Sequence, residues 1–476
     1  MKNNSSKIFS ILYGVLFVLS LSTNWYSGLV LTLAGIVIFS VLYKLGKGII
    51  LREIIALHSV FVCLVMPLAG YSYYTIENPL ARLYIKYMPI PANVYFSFAL
   101  PAVSGFVFAL CFPLNQKKVS DEGDFIIGRF RRLKVVLANQ GNIALYLLVW
   151  GVFCSFIAPY APESLRFFIT LFFWASFAAI LYIYFSTTLP YRLPVLIIFV
   201  LFILLQAVQL GMFTVVAYMG MTIFSFIFLG KHSSILKKAI IFTISLFALL
   251  LIQSVKTVYR DYTWRGQKGV VENRTLLFTG LVSEKLNSPS DLFSVKAMFP
   301  IYMRTNQGFN VALVMRRFPA VKKFDNGDNL LLSLAASLVP RFLWPDKPEA
   351  GGKYNMLYYT GFVIKGWSTN VGPLGEAFGS FGAVGGIIYM FFLGLFIRWA
   401  YLKVFQVSRK IPLIIFWLPL LFFQVSYSAE NDTLQILNSL TKGALFIFII
   451  YKIFPSIFTT IQKKEIKKQR IVYSQS

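Results

Sequence analysis

Charge is what this sequence has least of. Only 13% of its 476 residues are Asp, Glu, Lys or Arg, about half the share found in soluble domains, so a water-borne globule is excluded. Acidic residues are scarcer still, 18 against 45 Lys and Arg, which leaves a formal net charge of +27. That excess gathers in short loops and the C-terminal tail. It is not interleaved with aromatics on a polar module, so it points to orientation in a membrane and away from nucleic acid. Three cysteines, Cys63, Cys111 and Cys154, all lie in apolar runs. They offer no disulfide framework and no metal-ligand spacing, so no metal or other cofactor is expected. The two histidines, His58 and His232, stand far apart and outside the one long polar stretch. No small-residue cleavage site follows Lys2, Lys7 and their apolar run before Trp25, so the N-terminus reads as a retained first helix.

What the sequence has is apolar runs of spanning length. Twelve are counted, near 8–23, 27–43, 54–70, 91–113, 143–158, 167–189, 194–210, 213–230, 239–255, 372–398, 411–429 and 434–454. The expected fold is an all-α polytopic membrane protein with about 12 transmembrane helices. Nine lie in 1–255 and three in 372–454, with a long loop over 256–371 and a basic tail over 455–476. The stretch 194–230 is read as two helices, split at Gln206, Gln209 and Gly211; one bent helix would invert the topology downstream. Loops holding Lys44, Lys47, Arg52, Arg129, Arg131, Arg132, Lys237, Lys238, Arg409 and Lys410 then fall on one side, the cytoplasm. Both termini share that side, and the long loop faces the periplasm of a bacterial inner membrane. The mixed-charge connector from Asn115 to Gln140 reads as an amphipathic helix lying on headgroups.

The spans hold few ionisable residues, their polar content being mainly Gln206, Gln209, Gln253, Gln424 and Asn438. Ion-coupled carriers place charges inside the bundle and build it from repeated, broken helices. Neither pattern is clear here, which moves the expected chemistry to the outer membrane surface. The long loop carries sixteen Lys and Arg against eight Asp and Glu, enough to concentrate anions there.

Four stretches around that loop could carry chemistry. In Lys256 to Gly266, Lys256, Arg260 and Trp264 share a face if the ninth helix continues, with Arg265 beyond them. They either grip a lipid-linked diphosphate or snorkel to the headgroups. Tyr302 to Gln307 sets Arg304 beside neutral donors, a pattern suited to phosphate or sugar hydroxyls, whereas Arg316, Arg317, Lys322 and Lys323 read as a solvated basic face. In PRFLWPDKPEAGG (Pro340 to Gly352), prolines bracket Asp346 and Lys347 in a turn expected to expose both. Arg341 is at its rim and Trp344 is placed to stack on a sugar; the alternative is a packed structural turn. In GPLGEAFGSFGAVGG, Pro373 opens a helix and Glu376 sits in its first turn. Glu376 either complements the helix terminus or acts as a base on an acceptor hydroxyl. Glu430 and Asp432 are further outer-loop carboxylates. Gly375, Gly379, Gly382 and Gly386 give that helix a small-residue stripe for close packing.

The YRDYTW segment, the long loop, PRFLWPDKP and GEAFGSFGAVGG together resemble the Wzy-type O-antigen polymerases, which join oligosaccharide repeat units. Arg341 and Gly352 also match their Arg-X10-Gly spacing. The resemblance implies a GT-C-like membrane glycosyltransferase that uses neither metal nor nucleotide sugar. It would pass a growing glycan from undecaprenyl diphosphate to a fresh lipid-linked repeat unit, for O-antigen lipopolysaccharide or a related surface polysaccharide. Arginines such as Arg260 and Arg341 would stabilise the departing diphosphate and Glu376 would activate the acceptor; the binding set is Lys256, Arg260, Arg265, Arg304, Trp344, Lys347 and Glu430, with Asp346 a further catalytic candidate. Expected partners are the lipid-linked donor and acceptor, membrane lipids and a chain-length regulator. A polysaccharide flippase and an O-antigen ligase are the alternatives; the first needs charges in the bundle, the second a histidine in the loop.

Overall fold

The computed structural model describes residues 5–22, 24–113, 120–138, 141–211, 213–231, 233–263, 273–287, 293–339, 343–348, 351–364 and 369–458. These form an all-α polytopic membrane protein. Among the described residues, ten helices are long and apolar enough to cross a membrane, and extended pairing amounts to two isolated bridges at Gly48. Two of the twelve expected spans appear as shorter apolar helices, Ser6–Ser22 and Thr214–Ile227. The division of 194–230 falls at Gly211, whose left-handed φ of 63° ends the Arg192–Leu210 helix. Gln206 and Gln209 stay inside that helix.

The helix Ala92–Cys111 is central, with fifteen of its twenty residues buried. The helix Gly372–Val407 runs along it closely, because a Cβ at Gly394 would stand 2.6 Å from the Phe106 carbonyl. Small residues there let backbones approach, as the glycine stripe leads one to expect.

That helix is not continuous. Gly382 adopts φ 68° and ψ −164°, a region open essentially to glycine alone, and divides it in two. The halves fold back on each other, so that a Cβ at Gly386 would lie 3.2 Å from the Ala377 carbonyl carbon. Backbone groups freed at the break are used by the loop before Asp328: Asn326 N–H donates to the Ser380 carbonyl at 2.9 Å. The apolar run over 372–398 counts as one span in the sequence. The dihedral freedom of one glycine replaces it with a broken helix.

The bundle also buries more charge than the spans suggested. Arg52, expected in a loop, lies in the first turn of the Leu51–Val60 helix with 2% of its surface exposed. It pairs with Asp121 at 2.8 Å and donates to the carbonyls of Leu110 and Phe112. Beside it Lys44 pairs with Glu53 at 2.7 Å. The connector helix Gly123–Ala138 turns its apolar face to protein, with Phe130 packed on Phe185, Phe226 and Phe416. Aromatic packing therefore takes up the face expected to lie on headgroups.

The long loop folds into the helices Arg274–Asn287, Val295–Thr305, Gln307–Arg317, Asp328–Leu338 and Gly352–Thr360. They pack back into the bundle. A Cβ at Gly308 would meet Pro67 and the Tyr95 hydroxyl, and one at Gly70 would meet the Tyr302 hydroxyl. Opposite them the Leu51–Ser72 span carries a π-turn over Phe61–Val65, and the Cys63 carbonyl there accepts from Tyr95 at 2.6 Å.

Candidate functional site

Two loop helices meet at Asn306. Its side chain caps the Gln307–Arg317 helix by accepting from Phe309 N–H at 3.2 Å, so the chain turns sharply after Arg304. The turn sets Arg304, Asn306, Gln307 and Asn310 around a narrow cavity of about 30 Å³, which Lys86 and Thr369 complete. A space that small has room for about one or two water-sized polar atoms. Burial lowers the affinity of the Lys86 ammonium for its proton, and the ammonium stands 4.4 Å from the Phe309 ring centre.

Arg304 links this cavity to a buried polar cluster. Half of its side chain is exposed (49%), while Nη2 holds Glu430 Oε2 at 2.7 Å. The neighbouring carboxylate raises the guanidinium's pKa further above its ordinary value. The other Glu430 oxygen lies 3.4 Å from His58 Nε2, which also contacts the Tyr218 hydroxyl at 2.9 Å. Tyr218 stacks on Tyr427 at 4.6 Å, and Tyr427 donates to Gln424 at 2.7 Å. Glu430 owes its position to the short turn Ser428–Glu430, where Asn431 bonds back to the Gln424 carbonyl at 2.6 Å.

The ninth span does continue, as the helix Ile235–Thr263, so Lys256 and Arg260 stand one turn apart. Lys256 is buried within electrostatic reach of Arg260, Arg304 and Glu430. Arg260 donates twice to the Gly211 carbonyl, at 3.0 and 2.7 Å, and so caps the end of the Arg192–Leu210 helix.

A chain of side-chain amides leads away from the cavity. Gln307 and Asn310 both donate to the Asn370 carbonyl at 2.8 Å, and Asn370 donates to Asp432 at 2.9 Å. Asp432 closes a capping box with Gln435 at the start of the last span, Thr433–Ile453. Burial pushes its carboxyl above the ordinary aspartate range. The next residue, Thr433, donates to Glu376 through its amide at 2.9 Å and its hydroxyl at 2.5 Å. Asn355 fills the other Glu376 oxygen at 2.7 Å, and the carboxylate is fully buried.

The structure thus brings Lys256, Arg260, Arg304 and Glu430 to one locality and ties Glu376 to it through the amide chain. Arg265, Arg341 and Trp264 lie outside the described residues. Trp344 is half-buried and Asp346 exposed, and neither lines the cavity. Lys347 departs from expectation: it is buried and donates to the carbonyls of Ala336 and Val339 at 2.8 and 2.7 Å. Open carbonyls at the end of the Asp328–Leu338 helix draw it inward. Sequence reasoning missed Lys86, Tyr218 and His58. Of these His58 alone carried a signal, being a titratable group inside an apolar span.

Compared with protein-family models, with curated proteins and with solved structures, the chain finds no match.

Proposed function

We propose that this chain is a membrane glycosyltransferase that polymerises oligosaccharide repeat units carried on undecaprenyl diphosphate, at the outer face of a bacterial cytoplasmic membrane. The observation that supports it most is the cavity itself: Arg304 and Lys86 facing it with the amides of Asn306, Gln307 and Asn310. Fixed cations beside neutral donors suit a diphosphate bearing a sugar, because the charges hold phosphoryl oxygens and the amides hold hydroxyls. In the reaction the bond between the anomeric carbon and the diphosphate breaks, and Arg304 and Lys86 stabilise the charge left on the departing oxygens. The acceptor hydroxyl oxygen bonds to that anomeric carbon, forming the new glycosidic bond, and its proton passes to a carboxylate. Glu430 is next to the cavity through Arg304, whereas Glu376 would reach substrate only after Thr433 and Asn355 release it.

A second reading, a transporter of lipid-linked saccharide, is favoured by the break at Gly382 and by the buried pair of His58 and Glu430. Deleting the gene and sizing the glycan separates the two. Single repeat units on the lipid carrier at the outer face, with the ladder restored by wild type and not by Arg304→Ala at equal protein level, support the polymerase. Repeat units trapped on the cytoplasmic face sink it and leave the transporter.

A further inference from the structure

Arg304 serves two masters. One side of its guanidinium meets the cavity, and the other neutralises Glu430 at 2.7 Å. An anion that draws Arg304 into the cavity therefore deprives a buried carboxylate of its nearest counter-charge, which is costly in a low-dielectric interior. The group placed to make up the loss is His58, whose Nε2 is already 3.4 Å from the other oxygen of Glu430. We infer that anion binding at Arg304 is coupled to uptake of a proton by His58, which takes over as the counter-ion of Glu430. The inference rests on the anion-binding reading of the cavity.

The groups around His58 and Glu430 leave few competitors. Tyr218 at 2.9 Å, Tyr427 stacked upon it and Cys63 on the same span are neutral and supply no positive charge. Lys256 and Arg260 come from the Ile235–Thr263 helix. Arg260 is held by two bonds to the Gly211 carbonyl and keeps its charge throughout. Lys256 feels the charges of both Arg304 and Glu430, so it is the rival of His58 for the proton and the test replaces each in turn. Glu430 could itself take the proton. An imidazole, however, is more basic than a carboxyl by about two pKa units, and protonating it keeps an attractive pair in place. His58 Nδ1 has no hydrogen-bond partner among the described residues. Leaving one N–H there unpaired costs less than leaving a buried carboxylate unpaired.

The test uses full-length protein in detergent and sulfate, whose charge is constant between pH 6 and 8. Titration calorimetry in buffers of different ionisation enthalpy counts the protons. Wild type is expected to take up close to one proton per sulfate at pH 8, with affinity falling up to about tenfold per pH unit. His58→Gln should bind sulfate without uptake and with a flat pH profile. Should that variant not fold, Lys256→Met decides: uptake that persists without the rival ammonium supports His58, and uptake lost with it overturns the inference. Binding without proton uptake in wild type, or undiminished uptake in His58→Gln, overturns the inference and spares the cavity's reading. No binding, or binding that survives Arg304→Ala, overturns both.

Discussion

Glu376 and Thr433 meet twice, through the threonine amide at 2.9 Å and its hydroxyl at 2.5 Å. One buried carboxylate thereby ties the folded-back half of the broken helix to the start of the last span. Asn355 completes its shell from the Gly352–Thr360 helix, so three segments distant in sequence depend on it.

Glu376→Ala should accordingly destabilise by about 3–5 kcal/mol, since it strands three buried donors. Glu376→Gln, which points an amide at the Thr433 donors, should cost about 1–3 kcal/mol. Thr433→Val removes only the hydroxyl contact and should cost less than either. Melting temperature in detergent, read beside glycan length, tells position from chemistry. Stability and product lost together mark a positioning residue. A ladder lost from Glu376→Gln at an unchanged melting temperature would make it the base.

Gly382→Ala tests the break. An L-residue at φ 68° and ψ −164° is strained by about 1–3 kcal/mol, and the new Cβ would stand 3.2 Å from the Phe324 ring. Gly386→Ala meets Phe98 at 2.8 Å and the Ala377 backbone at 3.2 Å, so it should also lower the melting temperature. Gly280, where a Cβ meets nothing, is the control: Gly280→Ala should leave stability unchanged or slightly improved.

The architecture was legible because lipid solvation writes itself as long apolar runs. Ten of the twelve runs counted in the sequence are helices of spanning length among the described residues, and the split of 194–230 falls at Gly211, whereas the ninth span runs on past 255 to Thr263. The break at Gly382 was hidden because a glycine stripe reads equally well as close packing and as a hinge. Charge placement was hidden for another reason. Hydropathy puts Arg52 in a loop, but its partner Asp121 is 69 residues away and only the fold brings them to 2.8 Å. His58 and Glu430 are a second such pair. Arg304 beside Asn306 and Gln307 was visible because they are near neighbours in sequence, whereas Asn310 joins them only through the fold of the Gln307–Arg317 helix.

Lys347 and Asp346 are adjacent in sequence and opposite in role. Lys347 closes the end of the Asp328–Leu338 helix by two charge-assisted bonds to carbonyls, so Lys347→Met should cost about 1–3 kcal/mol. Asp346 is exposed, and Asp346→Asn should fall within about 0.5 kcal/mol of wild type. Loss of glycan product by Asp346→Asn at unchanged stability would return it to the site as a catalytic group.

Lys86 makes the cavity's affinity depend on alkaline pH, and the sign follows from its surroundings. Burial disfavours the ammonium, so the positive charge is lost at a lower pH than on an exposed lysine. A cation lost as pH rises removes attraction for an anion, so sulfate affinity should fall on the alkaline side. Lys86→Arg keeps its charge throughout that range and should remove the alkaline limb. Lys86→Met should weaken binding at every pH and flatten the same limb. The limb belongs to Lys86 if it disappears in both variants while the change between pH 6 and 8 remains. If it persists in Lys86→Arg, another group is titrating. Lys256, a buried ammonium within reach of Arg304, is then the one to replace.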